Sequence, residues 1–109
     1  MVGDGERPLN FLIVDNELSP RTIAGRILTH LGHEAELADG GEEATVKFLL
    51  NPGQYDAVVS DYNMPGLNGD ELALNFKEVT TDLGLPQRLS GFFLQMHAFL
   101  WLILNDGKV

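Results

Sequence analysis

Ala57-Val58-Val59-Ser60-Asp61-Tyr62-Asn63-Met64-Pro65-Gly66-Leu67-Asn68-Gly69 is the stretch that decides the fold: a short apolar run ends on a carboxylate, and turn residues follow at once. A carboxylate at the carboxyl end of a buried strand lies where open α/β sheets place their ligands. A second apolar run, Phe11-Leu12-Ile13-Val14, also ends on an acid, Asp15, followed by Asn16. If the two runs are neighbouring parallel strands, Asp15, Asn16 and Asp61 converge on one small pocket. Its oxygen donors outline a magnesium and phosphoryl site.

Working outward, the spacing predicts alternating strands and helices. Ser19 and Pro20 supply a capping hydroxyl and a proline for a first helix. Ile23, Ile27, Leu28 and Leu31 form its expected apolar face. Gly32 is placed to end that helix in the left-handed conformation. Residues 34–38 read as a mixed strand suited to a sheet edge. Asp39-Gly40-Gly41 is a turn, and a helix through Ala44, Phe48 and Leu49 is stopped by Asn51-Pro52-Gly53. Residues 56–60 are the third strand. Asn68 can cap a third helix, with Asp70 and Glu71 favourable in its first turn and Leu72, Phe76 and Val79 on its buried face. Strand, helix, strand, helix, strand, helix with helix-length crossovers argues an α/β, doubly wound parallel sheet with right-handed connections.

Beyond residue 80 the pattern changes. Residues 85–91 read as a short fourth strand containing Ser90. Residues 92–104 are apolar apart from Gln95 and His97. That run is shorter than the roughly 20 apolar residues that a membrane-spanning helix needs. It is expected to be mostly helix and to cover the open sheet, the alternative being a fourth strand followed by a short helix in a compact monomer. The cover is intramolecular or a homodimer contact through Phe93, Phe99, Trp101 and Leu102.

Composition narrows the function classes. The chain has 109 residues, 44% of them hydrophobic, which suits one domain with a real core. A formal net charge of -9, from 16 acids against 7 Lys and Arg, disfavours nucleic acid as a direct partner. There is no cysteine, hence no disulfide framework or thiolate chemistry. The polar start, Met1-Val2-Gly3-Asp4-Gly5-Glu6, lacks a signal-peptide core, so a cytoplasmic location away from the membrane is the expectation. Residues 1–8 read as a flexible leader to a domain over residues 9–109. A zinc site from His30, His33 and His97 is disfavoured, since no cysteine or spaced acid cluster accompanies them.

Several segments together resemble a known family: Phe11-Leu12-Ile13-Val14-Asp15-Asn16-Glu17, Leu31-Gly32-His33-Glu34, Ala38-Asp39-Gly40-Gly41-Glu42-Glu43-Ala44, and Tyr55 through Gly69. In order and spacing they look like a response-regulator receiver domain of two-component signalling, from residue 9 to about residue 78, with an atypical stretch over 79–109. The resemblance implies a flavodoxin-like sheet, incomplete after the third or fourth strand, and a cytoplasmic signalling role rather than an enzyme's. It implies that Asp61 is the phosphoacceptor, loaded by a histidine kinase or phosphotransfer protein with Mg2+. Asp61 and the backbone carbonyl of Asn63 would be direct metal ligands, with Asp15 acting nearby through water. Ser90 is the candidate for the switch hydroxyl and Lys108 the weaker candidate for the family's lysine.

Asn16 departs from the family, which places a second acid there as a direct ligand. An amide oxygen can coordinate a hard cation but brings no charge; a one-residue shift of register would put Asp15 in the direct-ligand role instead. Two other readings follow. The chain is a pseudo-receiver, an interaction module without the switch, or its reading frame changes after about residue 78. The length leads to the expectation of a stand-alone or excised receiver.

Overall fold

The structure, a computed structural model, describes residues 8–51, 53–61, 64, 66, 68–82 and 93–95. Among the described residues seven elements follow in order: β1 (Asn10–Val14), α1 (Leu18–His30), β2 (Glu34–Ala38), α2 (Gly41–Leu50), β3 (Ala57–Ser60), α3 (Gly69–Asp82) and β4 (Phe93–Gln95). The strands form one sheet in the order β2-β1-β3-β4, and every pairing is parallel. This is the doubly wound, flavodoxin-like arrangement expected, with chain order reversing between β1 and β3.

Strand alternation sorts the core into two layers. Leu12, Val14, Ala38 and Val58 face α2 and α3, where they meet Ala44, Phe48, Leu72 and Phe76. Phe11, Ile13, Ala57 and Val59 meet Ala24 and Leu28 of α1 on the other side. Each central strand is buried on both faces, which explains its unbroken apolar sequence. The rings of Phe48 and Phe76 stack with centroids 4.1 Å apart, joining α2 to α3. On the opposite layer α1 approaches β2 closely at Gly25, where an added Cβ would stand 3.1 Å from the Leu37 side chain.

Helix ends follow local chemistry. Gly32 adopts φ 95°, and the last turn of α1 closes with Gly32 N–H donating to Thr29 and His33 N–H to Leu28. Left-handed backbone at this position favours glycine, as expected. Asn68 and Glu71 form a reciprocal box at the start of α3: Glu71 N–H donates to the Asn68 side chain at 2.9 Å, and Asn68 N–H to the Glu71 carboxylate at 3.0 Å.

Four expectations are corrected. Helix α1 begins before Ser19, with Glu17 at its cap position and no capping hydroxyl. Pro20 therefore lies within the first turn, where a missing N–H still costs nothing. Ile23 is 50% exposed and Leu49 52% exposed, because the buried stripes run through Ala24 and Leu28 and through Ala44 and Phe48. Among the described residues the fourth strand is Phe93–Gln95, in the apolar run; the strand expected over residues 85–91 lies outside the described residues. The tail is thus strand rather than helix at that point, and Phe93 pairs in register with Val58 of its own chain. Phe99, Trp101 and Leu102 lie outside the described residues, as do residues 1–7 and the Val79 side chain.

Phe48 is fully buried between α3 and Tyr55. Phe48→Ala is expected to cost about 3–5 kcal/mol in urea unfolding. Leu49→Ala, one residue along on the exposed side, is expected to stay within about 0.5 kcal/mol. Equal losses would contradict the assignment of the α2 face.

Candidate functional site

The register of the central strands builds the site. Val14 pairs with Ser60, so Asp15 and Asp61 leave adjacent parallel strands at the same level. Main-chain bonds hold both residues just beyond the strands: Asp61 N–H donates to the Val14 carbonyl at 2.9 Å, and Asp15 N–H to Ala38 at 3.2 Å. Carried one residue further, the alternation of β1 and β3 puts Asp15 and Asp61 on the same side as Phe11, Ile13, Ala57 and Val59, the α1 side. This crevice is the topological switch point of the sheet.

Asp15 is 2% exposed and Asp61 half-buried. Burial pushes the Asp15 carboxyl above its ordinary range, the nearby Asp61 and Glu17 charges add to that, and two groups oppose it. Glu17 N–H donates to Asp15 Oδ1 at 2.9 Å, and the Arg21 guanidinium supplies an opposite charge. Arg21 is fixed by a bond from Nη1 to the Asp15 main-chain carbonyl at 2.6 Å. Met64, three residues after Asp61, is buried at 7% exposure among the α2 and α3 residues.

The structure therefore brings together Asp15 and Asp61. Asn16 follows Asp15 at the rim and is exposed. Asn63, Ser90 and Lys108 lie outside the described residues. The donors at hand are carboxylate and amide oxygens, a set suited to a hard dication that keeps several waters. Among the described residues no three His, Cys, Asp or Glu gather into a metal-binding group.

Two contributors escaped the sequence reading. Arg21 gives no sign in the sequence beyond its place near the helix start; its six-residue spacing from Asp15 is the signal that it can reach back from the first turn of α1. His33 is more than a residue after a helix stop. Its Nδ1 accepts the Leu9 N–H at 3.0 Å and its ring meets Phe11 edge-on, clasping the entry to β1 far from the acids.

This fold and acid pair define a class, the doubly wound α/β domain with a polar crevice at the ends of its first and third strands. The chain resembles, in sequence and in fold, the receiver domains of response regulators. It is 37% identical over 78 residues to a gliding motility regulatory protein of Myxococcus xanthus, an alignment covering 72% of this chain and 10% of that protein. It is 29% identical over 86 residues to two-component response regulator 24 of Arabidopsis thaliana, covering 79% of this chain and 58% of that protein. Among solved structures, chemotaxis protein CheY4 of Vibrio cholerae matches with a TM-score of 0.66 at 27% identity, over 82% of this chain and 68% of that one. The receiver domain of the response regulator Ssk1 of Saccharomyces cerevisiae, crystallised with the histidine phosphotransfer protein Ypd1, matches at 0.63 and 26%, over 71% of this chain and 52% of that one. No protein-family model matches the chain. The chain spans 10% to 58% of the lengths of the first curated relatives it matches. Among the described residues no helix is long and apolar enough to cross a membrane.

The raised Asp15 carboxyl has a signed consequence. Below the ordinary aspartate value of 3.8, Asp15 is protonated folded or unfolded and costs nothing. As pH rises through the raised folded value, ionisation favours the unfolded chain, and stability falls. Asp15→Asn, which keeps an oxygen for Glu17 N–H, is expected to raise the urea midpoint at neutral pH and to have little effect at the acid end. A variant less stable than the parent at neutral pH would contradict this.

Proposed function

We propose that the chain is a phosphoacceptor receiver in which Asp61 takes a phosphoryl group from a phosphohistidine. The observation that carries this reading is the pairing of Val14 with Ser60, which sets Asp15 and Asp61 side by side at the switch point. An Asp61 carboxylate oxygen attacks phosphorus in line, the phosphorus–nitrogen bond breaks, and the imidazole leaves with the electron pair. The product is an acyl phosphate on Asp61, which water later hydrolyses. A carboxylate is a competent nucleophile here only if the transferring charge is neutralised. Mg2+, when bound, supplies that neutralisation. Asp15, Asp61 and the amide of Asn16 would hold it, with the Asn63 carbonyl as the resemblance implies. Asp15 lends its charge to the cation.

The donor is a histidine kinase or a histidine phosphotransfer protein. Similarity to the Ssk1 receiver, crystallised with its phosphotransfer partner, supports that class. The role is signalling, with phosphoryl transfer and hydrolysis confined to the chain's own aspartate. Asn16 favours a second reading, a pseudo-receiver that keeps the shape without the switch, since the amide adds no charge to hold a dication.

One experiment separates the two. With acetyl phosphate and Mg2+, intact mass is expected to show a single phosphoryl addition that Asp61→Asn abolishes. No addition to the parent chain supports the pseudo-receiver, and an addition persisting in Asp61→Asn puts the acceptor elsewhere. A companion titration tests the amide: Asn16→Asp is expected to tighten Mg2+ binding about tenfold, because a further carboxylate adds attraction in a partly buried site. The same change is expected to lower stability without metal by crowding like charges. Unchanged binding would remove position 16 from the ligand set.

A further inference from the structure

The acid pair has a cation of its own. Arg21 stands in the first turn of α1, on the side of the sheet toward which the alternation of β1 and β3 carries Asp15 and Asp61. Arg21 is half-buried, and its guanidinium is tethered through Nη1 to the Asp15 carbonyl at 2.6 Å, which holds the charge beside the crevice rather than leaving it to sweep through solvent. It acts on the Asp15 carboxylate as the favourable charge against Asp61 and Glu17. Position 16, next to Asp15, holds an uncharged amide rather than a third acid.

We propose that Arg21 is an internal counter-cation of the Asp15–Asp61 pair, which competes with a divalent cation for the electrostatic field of the crevice and fixes the loop that presents Asp15. This rests on the phosphoacceptor reading above and deepens it. Arg21 is a positioning residue: it touches the Asp15 main chain and works on the metal and the phosphoryl group through that residue. The two carboxylates repel each other when the dication is absent, and a fixed guanidinium offsets part of that repulsion. When a dication enters, the same guanidinium repels it. A half-buried charge is screened less than a surface one, so the effect persists at moderate salt and fades at high salt. Arg21 and Asn16 then act in the same direction, lowering the affinity of the crevice for free Mg2+ while steadying its empty state. Such a site binds Mg2+ weakly alone and more tightly when a second source of negative charge, the incoming phosphoryl group, arrives with the metal.

The test uses the full chain and Mg2+ alone, followed by calorimetric titration at low and high salt. Arg21→Gln removes the charge and keeps a side-chain donor for the Asp15 carbonyl; Arg21→Lys keeps the charge. Arg21→Gln is expected to bind Mg2+ about tenfold more tightly at low salt, with the gain shrinking at high salt. Arg21→Lys is expected to stay near the parent affinity. Thermal unfolding without metal is expected to rank Arg21→Gln below both others. Equal or weaker Mg2+ binding by Arg21→Gln, or Arg21→Lys behaving like Arg21→Gln, overturns the proposal. Failure of the underlying reading shows separately, as absence of the Asp61-dependent mass increase in parent and variants alike. If Mg2+ binds to none of the three proteins, there is no competition and the proposal falls.

Discussion

Two carboxylates that repel each other are held side by side because the main chain gives them no choice. The parallel pairing of β1 with β3 runs in register to Val14 and Ser60, and the Asp61 N–H continues it onto the Val14 carbonyl at 2.9 Å. The strands themselves are fixed by apolar residues on both faces, from Leu12 and Val58 on one side to Ile13 and Val59 on the other. Burial of those side chains, at roughly 25 cal/mol per Å², is the source from which the unfavourable charge arrangement is sustained. The crevice is therefore an electrostatic load carried by a hydrophobic sheet.

The local devices around the crevice moderate that load. A backbone N–H from Glu17 meets Asp15, Arg21 adds an opposite charge, and Asn16 withholds a further negative one. At the other end of the strands a different set of bonds fixes the sheet. Asn10 N–H donates to the Asp56 carboxylate at 2.8 Å, Asp56 N–H returns to the Asn10 carbonyl at 2.7 Å, and His33 holds Leu9. Polar side chains at that end pin the β1–β3 register, which in turn sets the level at which the two acids emerge. Tyr55 adds a buried anchor, its hydroxyl donating to Glu36 of β2 while burial pushes that hydroxyl's pKa up.

How much of this could be read from sequence depends on the length scale of the signal. Strands β1 and β3 were legible because a continuous apolar run of four residues, closed by turn residues, is too short for a buried helix and fits a strand covered on both faces. Gly32 and Asn68 were legible because caps are decided by nearest neighbours. The acid pair followed once the strands were assumed to be adjacent. The start of α1 was misplaced because Ser19 and Pro20 look like a cap and first helical residue; the chain instead begins the helix at Leu18, and Asp15 accepts the N–H of Glu17 at the cap position. Ile23 and Leu49 were misassigned because an apolar residue adjacent to a helical stripe satisfies the pattern nearly as well as one on it. Strand β4 stood only as the alternative reading of the tail because an apolar run flanked by unfamiliar sequence fits a helix as readily as a strand, and only pairing with β3 decides. The reach of Arg21 and the clasp of His33 belong to side-chain geometry that no periodicity encodes.

Strand β1 has a further consequence, for the order in which the molecule assembles. It is an inner strand whose two partners both lie later in the chain, β2 beginning at Glu34 and β3 at Ala57. No hairpin is available to start the sheet, since every neighbour is reached through a helix-length crossover. As the chain leaves the ribosome, β1 can pair with β2 and collect α1, but its other edge stays bare until Ser60 has emerged. For that interval one of the most apolar segments of the protein presents unpaired backbone to its surroundings. The nascent chain is then most vulnerable to association with its neighbours, and translation of the segment from α2 through β3 sets how long the exposure lasts.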